Sequence, residues 1–235
     1  MAEPLVVRSA DRDDLTADVA ERLLGRLIEL QATGRKVQLC LTGGGIAAAI
    51  YRVLGVNGAR TPVDWTTIDL WWGDERFVPA GDSDRNDLEA LKALAPLGFA
   101  PDRIHVMPAS DGAVDLDAAA AAYADELADT TFDVCLLGVG PDGHVASLFP
   151  GHPSSTAAGR VIAVRNSPKP PPSRISLTLE MINASAEVWF CVSGAEKAEA
   201  VQRALAGADI PAAHAHGTRS TVWLVDGAAA GGLPA

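Results

Sequence analysis

The chain has 235 residues, 48% of them hydrophobic and 21% charged, with 19 Lys+Arg against 30 Asp+Glu for a formal net charge of −11 at pH 7. This composition can bury a sizeable core and is not that of a disordered chain. The acidic balance argues against a nucleic acid or an acidic membrane as partner, because binding a phosphate polymer calls for a basic face, but a small anionic substrate needs only a few cations gathered in one pocket. No apolar run of about 18 residues occurs, and the opening MAEPLVVRSADRDD lacks the basic-then-apolar order of a secretory signal, so a cytoplasmic protein is expected.

In chain order, residues 5–8 predict a short strand, and residues 11–33 a long helix with Leu15, Val19, Leu23, Leu27 and Leu30 on one stripe and Gly34 at its end. Residues 37–41 form the next strand, running straight into Thr42-Gly43-Gly44-Gly45 and a helical pattern, IAAAIYRVLG. A strand over 68–72 leads into the loop GDERFVPAGDSDRN, in which Asp84 and Asn86 are expected to cap the amphipathic helix DLEALKALAPL. A brief strand at 104–107 and a helix at 115–128 follow. Residues 132–139 are a nearly continuous apolar run, as a strand buried on both faces needs, broken by Gly138, Gly140, Pro141 and Gly143.

Beyond that break, residues 160–164 read as a strand and residues 167–173, SPKPPPS, as a loop, since prolines at that density allow neither ladder nor helix. RISLTL (174–179) is extended by composition, with a short helix in EMINAS. Strands at 187–192 and 221–225 flank a helix at 195–205, and the tail DGAAAGGLPA carries little information. Alternating strands and helices with buried apolar strands predict a single-domain α/β fold, a doubly wound and mostly parallel sheet spanning residues 1–235. The cysteines Cys40, Cys135 and Cys191 each sit in an apolar strand and fit neither a disulfide frame nor a zinc site. His214 and His216 lack a third ligand nearby, so no metal is expected.

Four groups of residues carry chemistry. Gly43, Gly44 and Gly45 lie between a strand and a helix, where backbone N–H groups and the helix dipole can meet an anion. The pattern is neither Walker A nor the dinucleotide fingerprint. Asp74, Glu75 and Arg76 end an apolar strand at the same sheet edge. Asp142 and His144 sit in a glycine-flanked turn at the end of the buried 132–139 strand, where open α/β sheets place ligands. The last group is cationic: Lys169 in the proline loop, Arg174 opening RISLTL, and Lys197 in a first helical turn, where a lysine opposes the helix dipole but can share an anion with the helix N–H groups.

With LTGGG, WWGDERFVP, LLGVGPDGHVASLFPGHP, PPPSRISLTLEMINAS and VSGAEKAEAV in this order over nearly its whole length, the chain resembles the 6-phosphogluconolactonases, relatives of the glucosamine-6-phosphate deaminases. The resemblance implies an α/β fold of the glucosamine-6-phosphate deaminase and ribose-phosphate isomerase type, and hydrolysis of 6-phospho-D-glucono-1,5-lactone to 6-phosphogluconate. Opening a δ-lactone is downhill and needs no metal, so no cofactor is expected, and a monomer or weak homo-oligomer is expected. By resemblance, His144 is the general base and Arg76 the arginine of the GDER loop. Gly43, Gly44, Gly45, Arg174 and Lys197 match phosphate-binding positions. Whether Asp142 or Asp74 orients His144 stays open at this level, as does whether Arg76 faces the developing charge or holds the substrate. The deaminases carry a glutamate five residues after the histidine. Here that place is Phe149, which speaks for lactone hydrolysis and against deamination.

Overall fold

The computed structural model describes residues 3–112 and 114–233; the first two and last two residues of the chain, and Ala113, lie outside them. Its elements are β1 (Leu5–Ser9), α1 (Arg12–Gln31), β2 (Val37–Leu41), α2 (Gly45–Gly58), β3 (Ile68–Trp72), β4 (Asp74–Arg76), α3 (Asn86–Leu94), α4 (Leu116–Leu127), β5 (Val134–Leu137), β6 (Val161–Val164), β7 (Arg174–Leu177), α5 (Leu179–Asn183), β8 (Glu187–Val192), α6 (Ala198–Leu205), α7 (Pro211–His214) and β9 (Ser220–Asp226). In α1 the carboxylate of Asp11 accepts the amides of Asp13 and Asp14 as an N-cap, and the Leu15, Val19, Leu23, Leu27, Leu30 stripe is buried.

Six strands pair in the order β1-β9-β8-β5-β2-β3, every pair parallel. The chain winds outward from β2 to β3 on one side and from β5 through β8 to β9 on the other. The order therefore reverses between β2 and β5, and the crevice at their carboxyl ends is where such sheets bind ligands. Helices cover both faces. Residues of α1, α2 and α3 share one apolar core with Leu39, Leu136 and Leu224, and residues of α4, α5, α6 and α7 share the other with Cys135, Phe190 and Trp223. The three cysteines are free and buried. No helix among the described residues is long and apolar enough to cross a membrane.

Three expectations are corrected. The stretch 73–86 is not all loop: β4, β7 and β6 form a separate antiparallel sheet, with Asp74 opposite Ser176 and Arg76 opposite Arg174. Three charged residues carry no apolar alternation to announce a strand. They are held in one because Gly73 donates to the Leu41 carbonyl and accepts from Leu177, tying β4 between the two sheets. The 104–107 strand shrinks to a single bridge from Ile104 to Leu70, since the Met107 carbonyl is taken by Arg85 and Pro108 has no N–H for a ladder. The 195–205 helix begins as a 3₁₀ turn at Ala195–Lys197 before α6, and α7 is an addition.

Candidate active site

The turn after β2 is shaped by backbone constraints. Tyr51 is buried in α2 and its hydroxyl pins both the N–H and the carbonyl of Thr42, while Gly44 takes φ +100°, which side chains disfavour. A Cβ on Gly43 would lie 2.0 Å from Asn86 Oδ1. No side chain among the described residues caps α2, so its first N–H groups are left for whatever fills the crevice. Arg12, on the first turn of α1, reaches over to donate Nη2 to the Gly45 carbonyl at 2.8 Å.

The turn after β5 closes on itself. Gly140 N–H donates to the His144 carbonyl and Gly143 N–H to the Gly140 carbonyl, both at 2.9 Å, with Gly143 at φ +88°. This fold-back brings Asp142 Oδ1 to 2.6 Å from His144 Nδ1. Asp74 is engaged elsewhere: its Oδ2 accepts from Ser147 Oγ at 2.6 Å and lies 3.9 Å from Arg174 Nη1. Burial pushes the Asp142 carboxyl up, but the hydrogen bond and charge of His144 and the charge of Lys169 outweigh it and leave the carboxyl below its ordinary range. As an ionised acceptor it takes the Nδ1 hydrogen, which leaves Nε2 as the lone-pair nitrogen. Burial pushes the His144 pKa down; the bond and charge of Asp142 push back, Lys169 adds to the fall and Asp74 opposes it. On balance the His144 pKa is lowered from its ordinary value, which favours the neutral imidazole. Phe149, buried at 1% exposure, packs its ring 4.8 Å from the His144 ring and 5.8 Å from the Arg174 guanidinium carbon.

Strand alternation in β4 sends Asp74 and Arg76 to one side and Glu75 to the other. Arg76 Nη1 donates to the Asp84 carbonyl at 2.6 Å and to Asn86 Oδ1 at 2.7 Å, while Asn86 Nδ2 donates to the Asp74 carbonyl at 3.0 Å. The expectation that Asp84 and Asn86 cap α3 is therefore corrected: Arg85 holds the cap position, and Glu75 accepts the amides of Asn86 and Asp87 from the neighbouring strand. Burial pushes Glu75 up to about 7, against the backbone amides of Asn86, Asp87 and Arg76. Glu75→Gln would set an amide NH₂ against one of those N–H donors. A loss of about 1–3 kcal/mol is expected, read as a lower denaturant midpoint.

These elements enclose a cavity of about 440 Å³ at the carboxyl ends of β2, β5 and β8. Of the candidates named from the sequence, Gly43, Gly44 and Gly45, Asp74 and Arg76, His144, and Lys169, Arg174 and Lys197 line it, while Glu75 and Asp142 do not. Asp142 stands behind His144. Arg174 is buried at 5% exposure; Nε and Nη2 donate to the carbonyls of Pro171, Lys169 and Pro170, and Nη1 makes no hydrogen bond among the described residues. Lys197 stands on the turn after β8, where Asp226 fixes Ser193 and Gly194.

Sequence reasoning misses Arg12 and Asn86. The signal for Arg12 is the one that flags Lys197, a cation in a helix's first turn against the dipole. Asn86 has no signal beyond its place in the DSDRN run. His214 faces Asp209 at 3.0 Å, and no group of three His, Cys, Asp or Glu among the described residues is placed to hold a metal.

The family model described as glucosamine-6-phosphate isomerases/6-phosphogluconolactonase matches residues 10–223. The chain belongs to that family. Among glucosamine-6-phosphate isomerase/6-phosphogluconolactonase relatives, a 6-phosphogluconolactonase of Streptomyces coelicolor is 47% identical over 250 residues, covering 98% of this chain and 95% of its own. One from Mycobacterium tuberculosis is 44% identical over 239 residues, covering 95% and 96%. The crystal structure of the Thermotoga maritima 6-phosphogluconolactonase superposes with a TM-score of 0.86 at 26% identity, covering 95% of this chain and 99% of that one. The family and its α/β fold agree with the sequence resemblance.

Proposed function

We propose that this chain, acting as one domain over residues 1–235, hydrolyses 6-phospho-D-glucono-1,5-lactone to 6-phosphogluconate, the second step of the oxidative pentose phosphate pathway. The observation that carries the reading is a neutral, carboxylate-oriented imidazole in a cavity that also holds an uncapped helix N-terminus and five cations. The relatives named 6-phosphogluconolactonase, at 44–47% identity over nearly all of both chains, support it.

In this reading His144 Nε2 takes a proton from water as its oxygen bonds to C1. The C1–ring oxygen bond then breaks, and the imidazolium returns the proton to the departing oxygen, giving a free acid and an alcohol. Asp142 holds the tautomer and faces the imidazolium between the two transfers. The 6-phosphate lies against the glycine turn, with Lys197, Arg174 Nη1 and Arg12 around it. Arg76 and Asn86 brace the turn from the β4 side and help hold the substrate. Binding the remote phosphate orients the carbonyl at the reacting end. The chemistry calls on no metal or cofactor. We take the enzyme to work in the cytoplasm as a monomer or weak homo-oligomer.

Two expected outcomes test these assignments. Lys197→Ala raises KM for the phosphorylated lactone about tenfold and leaves unphosphorylated glucono-1,5-lactone unaffected; an unchanged KM removes Lys197 from the phosphate site. Because His144 must be neutral and its pKa is lowered, the acid limb of kcat/KM, which reports the free enzyme, is expected below the ordinary histidine range. An acid limb of kcat/KM above that range contradicts the assignment.

A further inference from the structure

Building on the lactonase reading, we propose that Lys169 is a catalytic residue of this site, its ammonium facing the lactone carbonyl oxygen and stabilising the negative charge that gathers there as water attacks. Of the five cations lining the cavity, three have donors committed to the protein: Arg12 to the Gly45 carbonyl, Arg76 to the Asp84 carbonyl and Asn86, and Arg174 to the carbonyls of its own loop. Lys197 belongs to the turn after β8. Lys169 places its charged nitrogen beside the base, with Nζ 3.3 Å from His144 Nδ1 and 3.8 Å from Asp142 Oδ1.

Neither neighbour uses up its hydrogens. Nδ1 already gives its own hydrogen to Asp142 and cannot accept another, and 3.8 Å is beyond hydrogen-bond distance. The ammonium therefore keeps N–H groups for a ligand oxygen in the cavity that Lys169 and His144 both line. Its backbone is fixed: Ser167 Oγ bonds both the Lys169 N–H and its carbonyl, and Arg174 Nη2 holds the same carbonyl. With its backbone held, the ammonium has a limited reach, and a donor kept beside the site is suited to stabilise charge that forms only in the transition state. The groups facing His144 are Asp142 from its own turn, Lys169 from the proline loop and Asp74 from β4. Taking away Lys169 removes a cation that disfavours the imidazolium.

The test compares wild type with Lys169→Met and Lys169→Gln, which should fold because the Lys169 side chain is 40% exposed. Background-subtracted hydrolysis is followed for 6-phospho-D-glucono-1,5-lactone and for the unphosphorylated lactone, with inorganic phosphate as competitive inhibitor. Both variants are expected to lose about 10²–10³ in kcat, by a similar factor on the two lactones. The acid limb of kcat should move to higher pH, the phosphate inhibition constant should stay unchanged, and Lys169→Arg should recover part of the rate. If kcat stays within about tenfold of wild type, the proposal is overturned. A loss confined to KM for the phosphorylated substrate, with weaker phosphate inhibition, also overturns it and makes Lys169 a phosphate ligand. A wild-type protein without lactonase activity overturns the lactonase reading, and this proposal with it.

Discussion

Replacing His144 by alanine is expected to lower kcat for the phosphorylated δ-lactone by about 10²–10⁴, the contribution of a positioned general base, while the protein stays folded. The imidazole is held by its own turn and by Asp142 and leans on Phe149, so its removal leaves the sheet and both apolar cores intact. KM should change little, because the phosphate end of the cavity is untouched. Since the δ-lactone also opens unaided in water, rates must be compared after subtracting the uncatalysed reaction. Turnover near the wild-type value in a folded variant would remove His144 from the mechanism.

Gly140→Ala should cost comparable activity without touching a reacting group. A Cβ there would stand 1.9 Å from His144 Nδ1 and 2.5 Å from Asp142 Oδ1. Both side chains are pinned to each other and to the turn, so neither can yield without breaking the 2.6 Å hydrogen bond. The backbone itself tolerates the change, since Gly140 is not among the residues with positive φ. The expected result is a fold that melts near the wild-type temperature and a kcat reduced by about 10² or more, the usual cost of misplacing a catalytic group by an ångström. Circular dichroism melting with initial rates separates this outcome from simple unfolding. Full activity would show that the dyad geometry has no bearing on turnover.

The parallel sheet and its covering helices were legible because burial on both faces writes itself as apolar runs and helical stripes, as in 132–139 and in the Leu15 to Leu30 series. The site was legible where glycine marks a strand end, at Gly43 to Gly45 and around Asp142 and His144. It was not legible where a contact spans the chain. Asp74, Glu75 and Arg76 carry no periodic signal, and only pairing with residues about a hundred positions later makes them a strand that aims Asp74 and Arg76 one way and Glu75 the other. The choice between Asp142 and Asp74 as partner of His144 rests on how tightly a five-residue turn folds back, which spacing alone does not encode. Arg12 joins the glycine turn from 33 residues away and Lys169 meets His144 from 25, distances set by topology rather than by motif.

Phe149 bears on which reaction the family's site supports here. Its apolar ring is packed against His144 and under Arg174, out of the cavity lining, so the chain has no ionisable relay in the position where the deaminases place their glutamate. The most direct measurement is the initial rate at which the purified protein forms 6-phosphogluconate from fresh 6-phospho-D-glucono-1,5-lactone, above the spontaneous rate, beside ammonia release from glucosamine 6-phosphate. Fast lactone opening with no ammonia is the expected result. Ammonia release, or lactone opening no faster than in buffer, would contradict it.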